Sequence, residues 1–378
     1  MKFIHLSDTH LGYQHLGLTE RKQDFTEAFS YVVDYAIENS VDFIIHTGDF
    51  FHSSRPSNEI IIEAIQLVKK LKDNRIPIFT IHGNHDRGSG TRDRSALDIL
   101  KEFGLTLLDS NFYTLEDINI FGIKYIHSIF LKRVDLKSIL EKLYEEAPRK
   151  EFNMLMLHFE FSPFFKTDLE IESVLPECFE YVGVGHFHQA QESYRVKNSV
   201  VVYPGSTEYT QFNERDYSQK GFYLIHIEHI KSINSQFVPI PSRKFIVKRF
   251  NDDSLESRIE ELRSLEFNES KKPVLILKGA TKGNLSKKNV VQLLENRGLK
   301  SEFLHISVDL ERIGLEYEFK YLDHIEKTQS YVEEILQKNI EDVQVREKVR
   351  QVLYAIHSFE NLQEFEVYIE ENKELFQL

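Results

Sequence analysis

The sequence predicts an α/β layer fold over residues 1–235, a small α+β domain over 242–320, and an acidic helical segment over 321–378. Three observations carry that reading: short continuously apolar runs of strand length, amphipathic stretches between them, and a change in composition near residue 240. Alternation of strand and helix is the signature of helices layered on a sheet.

In chain order the predicted strands are Lys2–Leu6, Val41–His46, Pro77–His82, Asn119–Ile123, Met154–Leu157, Tyr181–Val184 and Val200–Tyr203. Their unbroken apolar character is expected of strands covered on both faces. Two helices are predicted between the first three, at 22–39 and 58–74. In the second, Ile61, Ala64, Ile65, Val68 and Leu71 recur at helical spacing. The block 231–241, with its Ser, Asn and two prolines, reads as a linker. Beyond it the pattern is strand (244–250), helix (255–265), strand (273–278), helix (287–296) and strand (302–308). From Tyr321 on, apolar stripes such as Tyr331, Val332, Ile335 and Leu336 lie in acidic helices that either fold back or bind a partner.

Composition narrows the class. At 378 residues with 41% hydrophobic and 28% charged residues, the chain has ordinary globular composition with ample material for a core. No apolar run reaches the ~18 residues of a membrane span, and the N-terminal MKFIHLSDTH runs straight into a strand rather than a secretory signal. The single cysteine, Cys178, excludes an intrachain disulfide and a multi-cysteine metal site, and favours a reducing, cytoplasmic setting. The net charge of −13 argues against nucleic acid at first sight. More than half of that excess, however, lies in residues 321–378, where 13 acidic residues face 6 basic ones.

Five segments share one design, an apolar strand whose C-terminal end delivers acidic, amide or imidazole groups. They are FIHLSDTH (Asp8, His10), DFIIHTGDFFH (Asp49, His52), PIFTIHGNHD (Asn84, His85, Asp86), NMLMLHFE (His158) and YVGVGHFH (His186, His188). Strand ends of an α/β sheet converge on one edge, where ligands bind. Two carboxylates, one amide oxygen and four imidazoles, with no thiolate, suit borderline-hard divalent ions such as Mn²⁺, Fe²⁺ or Zn²⁺. Seven donors exceed the needs of one ion, so two ions sharing a carboxylate is the economical count. Such a pair clamps a phosphoryl group for in-line attack.

In that order, D-x-H, G-D, G-N-H-D, a lone His and G-H-x-H resemble the calcineurin-like metallophosphoesterase superfamily. The runs HLGYQHLGLTERKQDFTEAF, GDFFHSSRPSN and YPGSTEYTQFNERDYSQKGFYLI are further similar to the SbcD/Mre-eleven DNA double-strand-break repair nucleases. The shared signatures are His52, the helix start Arg21, Asp24, Ala28 and Phe29, and a P-G-S … K-G-F pattern at Pro204, Gly205, Ser206, Lys220, Gly221 and Phe222. The tail lacks a long basic or Gly-Arg-rich extension, which fits a prokaryotic or archaeal form.

The resemblance implies a β-sandwich flanked by helices, with a DNA-capping α+β domain and a C-terminal helical segment that docks on an SbcC/Rad-type ABC ATPase. It implies Asp8, His10, Asp49 and His188 on one divalent ion and Asp49, Asn84, His158 and His186 on the other, with manganese foremost. It places His85 at the phosphate as proton donor or stabiliser, Asp86 on its imidazole, and His52 beside it. The implied activity is 3′→5′ exonuclease action on duplex ends and endonuclease action on single strands or hairpins, by a homodimer. Small-molecule or phosphoprotein hydrolysis on the same scaffold, and a non-catalytic scaffold, are the alternatives.

The other candidates have plainer readings. His5, His46 and His82 lie inside strands and read as packing residues. Arg55, Arg87, Arg92, Arg94, Lys132 and Arg133 flank the cleft in sequence, where they either contact phosphates or are simply solvated.

Overall fold

The computed structural model describes residues 1–87, 94–131, 133–165, 167, 169–216, 219–229, 232–265, 271–281, 283 and 285–312. The expected acidic helices of 321–378 lie outside these residues. The chain divides into two compact units. The first comprises Met1–Ile246, Phe267–Leu275 and Glu302–His305, and the second is formed around Val247–Glu266 and Ile276–Ser301.

Two six-stranded sheets build the first unit. One runs β12 (Ser232–Pro239), β11 (Gly221–His229), β1 (Lys2–Leu6), β2 (Phe43–His46), β3 (Ile78–Thr80), β4 (Leu105–Leu107). The other runs β5 (Asn111–Leu115), β6 (Ile118–Gly122), β7 (Phe152–His158), β8 (Tyr181–Gly185), β10 (Ser199–Val202), β9 (Tyr194–Val196). Within them β1, β2 and β3 are parallel neighbours, as are β6, β7 and β8. The continuous apolar runs are explained by burial on both faces. Phe3, Ile45, Phe79, Met154, Met156 and Tyr181 form a core between the sheets. The outer face of the first sheet packs α1 (Thr19–Glu38), α2 (Asn58–Asp73) and α3 (Ala96–Lys101) through residues such as Phe29, Val33, Val68 and Leu97. The second is covered by the chain around α4 (Ser128–Leu131), α5 (Leu136–Glu146) and α6 (Ile171–Val174), with Leu140, Leu143 and Ile171 buried. The result is a helix–sheet–sheet–helix sandwich, the α/β fold class the sequence predicts.

One reading is corrected here. Residues 232–239 are no linker but the edge strand β12, paired antiparallel with β11, so a boundary at residue 235 falls inside a strand. Ile233, Ser235 and Phe237 share a half-buried face, and Ile233 and Phe237 pack on the core between the sheets. Its polar residues mark it as an edge, and its proline sits at its last position, where no ladder hydrogen bond is lost.

In the second unit the expected order appears: β13 (Phe245–Asn251), α7 (Leu255–Arg263), β14 (Val274–Thr281), α8 (Lys287–Asn296) and β15 (His305–Arg312), with sheet order β13-β14-β15. Leu255, Ile259 and Leu262 of α7 and Val290 and Leu294 of α8 are buried.

Candidate metal centre

Every motif singled out in the sequence stands at the C-terminal end of a strand. Asp8 and His10 follow β1, Asp49 and His52 follow β2, and Asn84, His85 and Asp86 follow β3. His158 ends β7, and His186 and His188 follow β8. Because the contributing strands are parallel within each sheet, their ends meet at one edge of the sandwich. Metal-capable donor atoms gather there in three groups, each within 4.8 Å: Asp8, His10 and His188; Asp49, His158 and His186; and His10, His52 and His85.

The turns that deliver these groups are unusual. Asp8, His10, Asp49 and His186 have φ of 52°, 41°, 55° and 82°, the left-handed region that L-residues resist. Such torsions cluster at functional sites. Two glycines make room for them. Gly48 has φ +95°, and a Cβ there would lie 2.5 Å from His158 Nδ1. At Gly83 a Cβ would come within 2.0 Å of Asp49 Oδ1, so glycine is required for close approach rather than for a turn.

Asp49 sits between the two sides. Its Oδ1 accepts the His85 backbone N–H at 2.9 Å, while Oδ2 lies 3.3 Å from His158 Nε2 and 3.9 Å from His10 Nε2. Burial opposes its charge, but the imidazoles of His158, His85 and His10 hold its carboxyl well below the usual carboxylate range. Asn84 Oδ1 is 3.1 Å from His158 Nε2. On the other side, Asp8 Oδ1 lies 3.7 Å from His188 Nε2 and 4.0 Å from His10 Nε2, and those two imidazole nitrogens face each other at 3.1 Å.

These residues fit a pair of divalent ions. Asp8 Oδ1 is fully buried with no hydrogen-bond partner, a costly state for a carboxylate unless a cation faces it. Burial lowers His10 well below its ordinary value and keeps it neutral, as a ligand must be. His158 donates Nδ1–H to the Thr47 carbonyl at 2.7 Å, which turns its Nε2 toward Asp49. Burial lowers its pKa, but the neighbouring Asp49 charge more than offsets that and drives it up to about 9; a bound cation would take the place of that proton.

Around this centre the structure adds detail and one correction. His85 donates Nδ1–H to the His52 carbonyl at 2.8 Å, which fixes the ring beside the cluster it forms with His10 and His52. Its ring stacks on that of His52, centroids 5.1 Å apart, and His52 stacks on Tyr13 at 3.8 Å. Asp86 does not orient the His85 imidazole. Its carboxylate accepts the backbone N–H groups of Phe50, Phe51 and Gly83 at 3.1, 2.8 and 3.0 Å, and so ties the Asp49 turn to the Asn84 turn. The resemblance placed Asp86 on that imidazole, but its two oxygens are already taken up by these three backbone donors.

His5, His46 and His82 are buried and bonded, as packing residues should be. They pair with Tyr181 and Thr47, with Thr9, and with Asp109 and Ser95 respectively. Arg55, Arg87, Arg94 and Arg133 are exposed, whereas Arg92 and Lys132 lie outside the described residues. Sequence reasoning missed Glu160, which reaches His186, and Glu214 and Lys220, which reach His188. Lys220 lay in a recognised signature without a role. Glu160 lies in an irregular segment and Glu214 in a short 3₁₀ helix (Phe212–Asp216), and no spacing announces either.

Known proteins resemble this chain over most of its length. A family model described as calcineurin-like phosphoesterase matches residues 1–190. A DNA double-strand break repair protein Mre11 from Methanococcus maripaludis is 34% identical over 288 residues, covering 73% of this chain and 77% of the relative. The Mre11 of Thermoplasma acidophilum is 34% identical over 305 residues, covering 76% and 79%. That of Archaeoglobus fulgidus is 26% identical over 359 residues, covering 86% and 79%. The chain belongs to the calcineurin-like phosphoesterases and, within them, to the Mre11 family. It is thus a metal-dependent phosphoesterase, and the resemblance read from the motifs is borne out.

Proposed function

We propose that this chain is a DNA nuclease working with two divalent ions, manganese first among them, on double-strand breaks: 3′→5′ from duplex ends, and within single strands and hairpins. The observation that supports it most is the place of Asp49, whose carboxylate lies between two clusters of ligands. The relatives' common name, DNA double-strand break repair protein, supplies the substrate class. A bound ion pair supplies an activated water and neutralises charge on the phosphoryl group during in-line displacement.

Asp8, His10, Asp49 and His188 would hold one ion, and Asp49, Asn84, His158 and His186 the other. His85, its Nδ1 fixed by the His52 carbonyl, presents Nε2 to the departing oxygen and protonates it. His52 supports that ring from one side and is itself backed by Tyr13. Asp86 keeps the Asp49 and Asn84 turns in register. The exposed Arg55, Arg87 and Arg94, with Arg92, contact the phosphate backbone.

Residues 1 to about 240 act as the nuclease domain and 242–320 as the DNA cap, on the family's pattern. A homodimer and an SbcC/Rad-type ABC ATPase, docked on 321–378 in the cytoplasm, compensate for a net charge of −13 that by itself disfavours DNA.

The test is an assay of the purified full chain with Mn²⁺ on 5′-labelled blunt, overhung and hairpin DNA, with and without a cognate ATPase. Shortening from 3′ ends and hairpin opening are expected. DNA left intact by a preparation that rapidly hydrolyses phosphomonoesters would overturn the reading in favour of a small-substrate or phosphoprotein phosphatase.

A further inference from the structure

The histidines of the centre differ in what stands behind them. Behind His158 is a neutral group, the Thr47 carbonyl. Behind His188, Nδ1 faces Glu214 Oε1 at 3.2 Å and Thr210 Oγ1 at 2.9 Å, which leaves Nε2 toward Asp8 and His10. Behind His186 it is the other nitrogen that is engaged: Nε2 lies 3.4 Å from Glu160 Oε1, so Nδ1 is the atom left for a ligand. The two rings of one G-H-F-H motif therefore offer opposite nitrogens, each set by a carboxylate. An anion accepting the remote N–H fixes the tautomer and ring angle and makes the inner nitrogen a stronger donor.

We propose that Glu160 and Glu214 are positioning residues, one for each ion: Glu214 acts through His188 on the ion at Asp8 and His10, and Glu160 through His186 on the ion at His158 and Asn84. The inference rests on the two-ion reading above and goes beyond it by making the two sites unequal. Glu214 is locked in place. Its Oε2 pairs with Lys220 Nζ at 2.7 Å and accepts the Thr210 backbone N–H at 3.1 Å. Lys220 is buried, and its ammonium also donates to the His188 carbonyl at 2.8 Å and to Ser206 Oγ at 2.7 Å. The lysine of the K-G-F signature thereby holds both ends of the carboxylate–imidazole pair. Glu160 has a looser setting, with its side chain 33% exposed, and Phe165 stacked on the His186 ring at 5.2 Å gives that ring its remaining support. The ion served by Glu214 is the tightly held one, and the ion served by Glu160 exchanges more readily.

The experiment is titration of Mn²⁺ into the metal-free full chain, followed by calorimetry and by the EPR signal of free aqueous Mn²⁺, with His186→Ala and His188→Ala marking which binding step belongs to which site. Glu214→Gln should weaken by about 10- to 100-fold the step that His188→Ala abolishes. Glu160→Gln should weaken the other step, by a factor near the lower end of that range. Because Glu214→Gln leaves Lys220 without its anion, the double variant Glu214→Gln/Lys220→Met is also measured; it should regain thermal stability but not metal affinity. Wild-type constants in either Gln variant, equal loss at both steps, or recovered affinity in the double variant would each overturn the proposal. A wild-type chain that takes up fewer than two ions overturns instead the two-ion reading on which it rests.

Discussion

The two units treat polar groups in opposite ways. The first buries Asp8, Asp49, Asp86, His158, Glu208 and Lys220 and many more, whereas in the second Thr281 is the only polar side chain that is buried among the described residues. Removing a charge from water costs several kcal/mol unless it is paired, so the first unit is built around groups that stability alone does not favour. The second has a conventional apolar interior among the described residues. Chemistry and packing are thus separated along the chain.

That contrast can be broken most sharply at Asp49. Asp49→Asn removes the carboxylate between the clusters and should abolish uptake of a second Mn²⁺. It should also reduce DNA hydrolysis by ~10³-fold or more, above the loss from a single transition-state donor. Two ions bound at wild-type strength would contradict its placement. Next in size, His85→Ala should lower hydrolysis by about 10²- to 10⁴-fold, the span of general acid catalysis, while both ions stay bound. Turnover that survives the change removes His85 from the chemistry.

A smaller effect is expected where the first unit uses a charge for structure. Burial by itself lowers His82, but the Asp109 carboxylate more than reverses this and raises it; Asp109, despite its own burial, is held below its ordinary range by His82. The raised imidazole adds stability that is fully present below its unfolded value of 6.5 and fades as pH climbs through the folded one. The depressed carboxylate adds stability above its unfolded value of 3.8 that fades as pH falls through its folded one. Asp109→Asn should therefore lower urea stability by about 1–3 kcal/mol near pH 5 to 6, and by less near pH 9. An equal loss at both pH values would show that the pair carries no charge. The smallest effect belongs to the second unit. Ser286 caps α8 by accepting the Asn289 N–H at 3.2 Å, so Ser286→Ala should cost about 1 kcal/mol and leave Mn²⁺ uptake unchanged.

What the sequence disclosed divides along similar lines. Strands β1, β2, β3, β6, β7, β8 and β10 were legible because burial leaves a nearly unbroken apolar run, and the proposed ligands because each stands at the end of such a run or within four residues after it. Edge elements were not. Strand β12 hides behind Ser, Asn and Gln, and β4, β5 and β9 are short and only partly buried. Among polar residues, those whose partners are remote stayed invisible. Asp109 reaches back 27 positions to His82, and Glu160 and Glu214 each reach 26 positions to their histidines. Nothing local distinguishes such residues from solvated acids. Asp86 shows a different failure: the role carried over from the resemblance put its carboxylate on the His85 imidazole, whereas it accepts the backbone N–H groups of Phe50, Phe51 and Gly83.

The left-handed torsions at Asp8, His10, Asp49 and His186 bear on how such a centre can arise. Each opposes the chirality of its residue by roughly 1–2 kcal/mol, so the loops must already be bent against their own preference before any of those side chains can point inward. Transplanting the seven donors onto a relaxed scaffold would therefore carry over the letters without the shape. An engineer, like natural selection, has to acquire the contorted turns first and the chemistry second.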